Sequence, residues 1–386
     1  MKIAYLGKIQ LSDVDLSYLH EAQKLADVDY IMEVNPRFLK GPAFNIGHIY
    51  PKSGLFKAVD IYPEMIRLQG QIDLERFYIL NTCGRFWLFK SFVTNILLLV
   101  FLIRGKYTRI HLAWPPHVYE LVLYFLSRKM LLTVHDPFPH TGNDSAIVRF
   151  RRKLAFRLIP RLIILNRKQR QDFLDFYRLS PERVINSQLS CYTYLRSVAS
   201  DGTSFAIPER YILFAGKISR YKGLDYLLPA MKRVHRECPD CRLIVAGGGK
   251  FHFDVSEYEA LDYIGIRNRF IPDDEMVALI KNCAFMVCPY TDATQSGVIM
   301  SAFAFNKPVI ATDVGGLPEM VKDRHYGLII KEKDVNALAE SIVSLWRDPD
   351  LTASFSEEIH RDYSTGEKSW RHIAAQLQTE YHKIRE

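Results

Sequence analysis

Short apolar runs alternate with amphipathic stretches along the first half of the chain. KIAYLG, VDYIMEV, RFYILN, RIHLAW, MLLTVHD and RLIILN are nearly continuous in apolar residues, as strands covered on both faces are. Between several of them, segments such as SYLHEAQKLA and VYELVLYFLSR carry a helical period. Strands alternating with helices predict parallel βαβ units with right-handed crossovers. The pattern lapses over SDGTSFAIPE, residues 200–209, which reads as a linker. A second series then begins with YILFAGK, the helical stretch GLDYLLPAMKRVHREC and CRLIVAGGG. NRFI, AFMVCPY, PVIATD and YGLII follow as strands, and DDEMVALIKN as a helix with an acidic first turn. The tail EKSWRHIAAQLQTEYHKIR is a long amphipathic helix. The boundaries expected are 1–203 and 204–365 for two Rossmann-like α/β domains and 366–386 for a terminal helix. Two doubly wound sheets facing across a cleft would bind ligands beyond the C-terminal ends of their strands.

Composition changes this picture little, since 48% hydrophobic and 24% charged residues are those of a globular protein. The six cysteines form no disulfide framework, which suits a reducing cytosol, and Cys238-Pro-Asp-Cys241 reads as a turn rather than a metal site. MKIAYLG begins at once as a strand and not as a secretory signal. The most lipid-like stretch, FWLFKSFVTNILLLVFLIRGKY, is interrupted by Lys90, Ser91, Thr94 and Asn95, so it is expected to be a buried or interface-lying helix rather than a membrane span.

Charge says more. Residues 1–200 hold 28 Lys and Arg against 16 Asp and Glu, whereas 201–386 hold 23 against 27. The excess peaks at Arg149, Arg151, Arg152, Lys153, Arg157, Arg161, Arg167, Lys168 and Arg170, with no acid among them and Phe150, Leu154, Phe156 and Leu158 interleaved. An apolar-basic helix of this kind suits an anionic membrane surface or a phosphorylated acceptor. No recognisable nucleic-acid module accompanies the charge, so nucleic acid is not an expected partner.

Three strand-end loops could carry chemistry. Gly216-Lys-Ile-Ser-Arg-Tyr-Lys-Gly223 lies between a strand and a helix and brings Lys217, Arg220 and Lys222 to the strand end, where a diphosphate would find charge-assisted hydrogen bonds. It lacks the spacing of a P-loop. Gln295-Ser296-Gly297-Val298 opens a second helix whose exposed N–H groups favour phosphate, with Gly297 allowing close approach and Ser301 one turn on. Asp313-Val-Gly-Gly-Leu-Pro-Glu319 is the third.

In order and spacing, AGKISRYKGLDYLLPA, RLIVAGGG, NRFIPDDEMVALIKNCAFMVCPY and NKPVIATDVGGLPEMV resemble the retaining glycosyltransferases of family 4, over nearly the whole second half of the chain. The resemblance implies a GT-B fold, a nucleoside-diphosphate sugar held by the second domain, an acceptor held mainly by the first, and a C-terminal helix that crosses back to the first. It places the diphosphate on Arg220 and Lys222, with Gly216 and Lys217 beside them, the base near Phe270 and Ile271, and the sugar and phosphate against Gln295, Ser296, Gly297, Val298 and Ser301. In Thr133-Val-His-Asp-Pro-Phe-Pro-His140 it makes His135 the catalytic histidine. Asp136 then orients the loop, and His140, with Gly7 and Lys8 at the end of the first strand, belongs to the acceptor side.

One departure stands out. The family's two glutamates, separated by seven intervening residues, fall on Ala293 and Ser301, so both carboxylates are missing. Retaining transfer does not require a protein nucleophile, because the leaving diphosphate can take the acceptor's proton on the same face of the sugar. Catalysis then rests on Arg220, Lys222 and helix N–H groups, with no metal or cofactor. The expected function is hexosyl transfer from a nucleotide sugar to a glycan or lipid-linked acceptor in surface polysaccharide assembly. The expected place is the cytoplasm, peripheral at the inner membrane face. The alternatives are a nucleotide-sugar epimerase or hydrolase on the same fold, and a degenerate, non-catalytic scaffold.

Overall fold

A computed structural model describes residues 1–44, 46–138, 145–198 and 207–384. The chain divides into two units, Met1–Leu189 with Trp370–Glu386, and Ser190–Ser369. The expected linker lies mostly outside the described residues, and so does His140. Residues 190–198, grouped with the first domain on sequence pattern, share the second unit. There Tyr192 N–H donates to Met300 O (3.2 Å) and Arg196 Nε to Ala304 O (2.6 Å).

Among the described residues the first unit carries eight strands: β1 Lys2–Lys8, β2 Asp27–Val34, β3 Gly54–Lys57, β4 Phe77–Asn81, β5 Arg109–Leu112, β6 Met130–Val134, β7 Arg161–Ile164 and β8 Val184–Asn186. Their order is β3-β4-β2-β1-β5-β6-β7-β8, parallel throughout except for β3, which closes one edge antiparallel to β4. Strand order reverses between β1 and β5, so the loops after β1, β5 and β6 open at a switch point. The helices are α1 Ser12–Leu25, α2 Ala58–Ile61, α3 Trp87–Arg104, α4 Ala146–Leu158 and α5 Arg170–Tyr177. Residues Val118–Lys129, expected as an ordinary helix, fold as 3-10 turns with a kink at Leu126.

The helix α3 is polarised against expectation. Its buried residues are Ser91, Thr94, Asn95, Leu98 and Leu102, while Leu88, Phe89, Phe92, Val93, Ile96, Leu97, Val100 and Ile103 are exposed. Of the polar residues that interrupt the apolar run, Ser91, Thr94 and Asn95 therefore form its inward face, while Lys90 is only partly buried. Thr94 and Thr82 hydroxyls meet at 3.2 Å, and Asn95 Nδ2 donates to Ser91 O at 2.8 Å.

The second unit's sheet runs β11-β10-β9-β12-β13-β14, all parallel, with β9 Ile212–Ala215, β10 Leu243–Ala246, β11 Ile264–Arg267, β12 Met286–Cys288, β13 Val309–Thr312 and β14 Gly327–Ile330. The residues NRFI, read as a strand, fall just after β11, whose sequence is IGIR. Around the sheet lie α6 Leu224–Glu237, α7 Ser256–Glu259, α8 Asp273–Asn282, α9 Gly297–Ala304, α10 Leu317–Val321, α11 Val335–Arg347 and α12 Pro349–His360. Cys238 and Cys241 are buried free thiols, joined by a turn hydrogen bond of 3.0 Å.

The last helix, α13 Trp370–Lys383, belongs to the first unit and packs on α1. Arg109 of β5 donates to Tyr381 O (2.6 Å) and Ile384 O (2.7 Å), and Arg161 pairs with Glu380 (2.7 Å). The Tyr381 hydroxyl meets His111 Nδ1 (2.6 Å) and Tyr18 OH (3.0 Å), and His111 Nε2 meets Thr133 Oγ1 (2.7 Å). A polar chain thus runs through the core from α1 to β6. Burial, with His135 nearby, pushes His111 down to about 3, so its imidazole is neutral.

Candidate functional site

In the second unit, strand order reverses between β9 and β12, and β13 lies beside β12. The loops after these three strands are therefore neighbours, and glycines let them touch. Gly216, at φ +108, has Val298 Cγ2 3.2 Å from where a Cβ would lie. Gly223, at φ +72, ends the turn Arg220–Lys222 and would bring a Cβ within 1.8 Å of Pro289 O. Thr291 N–H donates to Tyr221 O at 2.8 Å, and Gly316 N–H reaches Ala293 O at 3.4 Å. Side chains at these glycines would wedge the loops apart.

Lys222 is buried among aromatic rings. Its Nζ stands 3.6 Å from the Tyr290 ring centroid and 5.2 Å from that of Tyr221, with no carboxylate partner among the described residues. Burial pushes its ammonium down to about 8. A buried cation with a face toward aromatic rings and no counter-ion is a place for an anion. Lys217 and Arg220, by contrast, are exposed. Tyr290 and Tyr221 are not singled out by the sequence, although Tyr221 lies between Arg220 and Lys222 and Tyr290 ends the apolar run AFMVCPY.

Ser296 caps α9, its hydroxyl accepting from Ile299 N–H and donating to Tyr290 OH, both at 3.4 Å. The Gly297 and Val298 N–H groups at the helix start have no acceptor in the protein among the described residues, and they point their dipoles outward. Gly297 itself is not the open approach expected. Its missing Cβ faces Tyr192, with the hydroxyl at 2.9 Å and the ring at 3.2 Å, so the glycine makes room for a tyrosine from residues 190–198. Gly297→Ala is expected to destabilise the unit by about 1 kcal/mol, and Tyr192→Phe in the same chain to recover part of it. Additive urea midpoints for the two substitutions would contradict this.

Ser301 Oγ donates back to Gly297 O at 3.0 Å. Gln295 is partly buried and Asp292 exposed. Phe270 and Ile271 lie after β11, two strands to one side of β9; the Phe270 ring is 74% exposed, and its carbonyl accepts from Arg269 Nη1 at 3.1 Å. Gly248 connects them to the loop after β9: its Cβ would fall 3.4 Å from Phe270 N, and its carbonyl accepts from Ile218 N–H at 3.1 Å.

In the first unit, a cavity of about 490 Å³ opens at the switch point and is lined by Lys8, Gln10, Trp114, His117, Asp136 and Arg151, among others. Its cations are engaged. Lys8 holds Glu120 (2.6 Å) and Glu33; burial alone would lower its ammonium, but the two carboxylates outweigh that and keep it above the ordinary lysine range. Arg151 donates to Pro115 O and Pro116 O, and Arg152 to Pro137 O (2.6 Å). The nine basic residues of 149–170 thus do not form one surface: Arg151 and Arg152 are internal, and Arg161 and Arg170 bind backbone carbonyls. Gly7 is buried, its missing Cβ 2.2 Å from Asp15 Oδ2, so its smallness serves packing.

His135 lies apart from that large cavity, on a small one shared with His111, Thr133 and Trp370. Its Nε2 is buried without a partner among the described residues, while the ring's other nitrogen bonds the Ala113 carbonyl and the ring stacks on Trp114. Burial lowers its pKa, although Asp136 pulls the other way.

Residues 209–348 match the family model described as Glycosyl transferases group 1. Among curated relatives, the alpha-maltose-1-phosphate synthase of Mycolicibacterium smegmatis is 29% identical over 188 residues, 45% of this chain and 48% of that protein. The D-inositol 3-phosphate glycosyltransferase of Corynebacterium aurimucosum is 25% identical over 237 residues, 57% of this chain and 56% of its own. The chain spans about half the length of the curated relatives it matches. Among solved structures, sucrose-phosphate synthase from Thermosynechococcus elongatus superposes with a TM-score of 0.69 at 16% identity, covering 100% of this chain and 99% of that one. Anabaena Alr3699/HepE, solved in complex with UDP-glucose, gives 0.65 at 14%, covering 99% of both. These likenesses establish the architecture as GT-B.

Proposed function

We propose, starting from the match of residues 209–348 to the group 1 glycosyl transferases, that the protein is a retaining, metal-independent glycosyltransferase. It moves a hexose-type residue from a nucleoside-diphosphate sugar to a glycan or lipid-linked acceptor in surface polysaccharide assembly. The observation that carries this reading is Lys222, a buried lysine without a counter-ion among the described residues, where strand-end loops meet beside a helix start with open N–H groups.

In the proposed reaction the bond between the sugar's anomeric carbon and the diphosphate oxygen breaks. The electron pair leaves on the diphosphate, whose charge Lys222, Arg220 and the Gly297 and Val298 N–H groups stabilise. The acceptor hydroxyl attacks from the same face and passes its proton to a departing phosphate oxygen. The new glycosidic bond forms with retained configuration, and no carboxylate at 293 or 301 is needed. On this reading His135 keeps the catalytic role that the resemblance implies for it, and the cavity beside Trp114 receives the acceptor.

UDP, GDP, ADP and dTDP are the ligands to test first by thermal denaturation. One of them at about 100 times its dissociation constant should add roughly 2.7 kcal/mol of stability. HepE's complex with UDP-glucose makes UDP the first choice. A response to none would favour the non-catalytic scaffold. Nucleotide-sugar turnover to free or epimerised sugar without an acceptor would favour the hydrolase or epimerase.

A further inference from the structure

The outer face of α3 is apolar along its whole length. Phe89, Phe92, Val93, Ile96, Leu97, Val100 and Ile103 recur at intervals of three and four residues, a stripe on one side of the helix, and Phe89 is 70% exposed. The opposite side holds Ser91, Thr94 and Asn95 against the sheet. An exposed helix in water has the reverse polarity. Core contacts through Leu98 and Leu102 fix it lengthwise on the unit, so in the folded protein it lies on a surface and does not cross one.

The apolar face continues onto its neighbours. Leu98 and Leu102 of α3 share one core layer with Leu123 of the 3-10 segment and with Ala155 and Phe156 of α4, so these three elements form one side of the unit. On that segment Phe125 is 84% exposed, and on α4 Ile147 and Phe150 are exposed too. An exposed apolar stripe of this length, with further exposed apolar side chains on the same side of the unit, marks an interaction site.

Charge selects the partner. From Asn81 to His135 the only acidic residue is Glu120, which is buried on Lys8. Exposed basic residues accompany the stripe on this side of the unit: Arg104 and Lys106 at the end of α3, and Lys153 and Arg157 on α4, with no ion pair among the described residues. A second copy meeting this face on itself would bring these cations together with no acids between them. An anionic bilayer supplies both hydrocarbon for the stripe and negative charge for these cations.

We propose that α3 and Phe125 form a docking surface that seats the first unit in the interfacial layer of an anionic membrane, α3 lying in the plane. This moves the membrane contact expected at residues 149–170 to α3, leaving Lys153 and Arg157 as cations on the same side of the unit. The inference rests on this surface and not on the transfer reaction, so the two can fail separately.

The test is flotation with vesicles of phosphatidylcholine alone and of an equal mixture with phosphatidylglycerol. The wild type should float with the mixed vesicles and far less with the neutral ones. The variant Phe89→Ser/Ile96→Ser/Phe125→Ser, altered only at exposed positions and checked for an unchanged melting curve, should partition at least about tenfold more weakly. Arg104→Glu/Lys153→Glu/Arg157→Glu should lose a similar factor, and added salt should weaken binding by the wild type. Flotation of the serine variant equal to wild type, or no flotation of wild type with mixed vesicles, would overturn the proposal. So would light scattering that finds a wild-type dimer and a monomeric serine variant, since a second copy would then cover the face.

Discussion

Replacing Lys222 by Met is expected to weaken nucleoside-diphosphate binding about a hundredfold, roughly the 3 kcal/mol lost when one partner of a buried charge pair is removed. Methionine retains an apolar stem against Tyr290 and Tyr221, so the fold should persist and the loss should report the charge alone. Adding Arg220→Ala, at an exposed position, should remove what affinity remains. Titration calorimetry with the nucleotide that shifts the melting curve would measure both. Wild-type affinity in the methionine variant would remove Lys222 from the site.

The same residue predicts a pH dependence. Its folded pKa of about 8 lies below the ordinary lysine value near 10.4. Between those values the unfolded chain binds more protons than the folded one, so Lys222's contribution to stability rises with pH across that window. Nucleotide affinity runs the other way, since the anion needs the ammonium. From pH 7 to pH 9 it should fall about tenfold in the wild type and hardly at all in the methionine variant.

The largest effect on stability is expected at Gly315. It sits at φ +52, and a Cβ there would fall 1.6 Å from Ala293 O. Gly315→Ala therefore incurs both a left-handed backbone penalty and a forced displacement of the 291–297 loop, together about 3 kcal/mol. Gly70, at φ +86 with open space around it, is the control, and alanine there should cost about 1 kcal/mol. Urea unfolding separates the two cases. The Gly315 variant should also lose nucleotide binding, because the loop it displaces carries Tyr290's neighbours into α9. Equal midpoints for the two variants would mean that the loops are not held together as described.

Strands flanked by helices were legible because buried parallel strands are long apolar runs, and the three strand-end loops were legible because each joins such a run to a helix. What failed depended on neighbours. The strand β3 has four residues and pairs only at an edge, too short to show a pattern. In β11, IGIR carries a glycine and an arginine, and pairing with β10 makes it a strand, while NRFI, which ends on two large apolar residues, lies in the loop beyond it. Gly297 had the right residue type for a ligand contact, but Tyr192, more than a hundred residues earlier in sequence, occupies the space. For α3, a running average of hydropathy cannot say which side of a helix is inside. Here the polar minority points inward, which only the packing reveals.

The placement of α13 bears on how the chain matures. The first unit is made of residues 1–189 and 370–386, and Arg109, His111 and Tyr18 all find partners on Tyr381 or Ile384. Chains emerging from a ribosome ordinarily fold their N-terminal domains first. This one cannot finish that domain until its C-terminal helix is out, by which time all of residues 190–369 has been made. Order of completion is thus the reverse of order of synthesis. In the interval Arg109 and His111 lack their partners, and the apolar face of α3 is displayed on an unfinished scaffold.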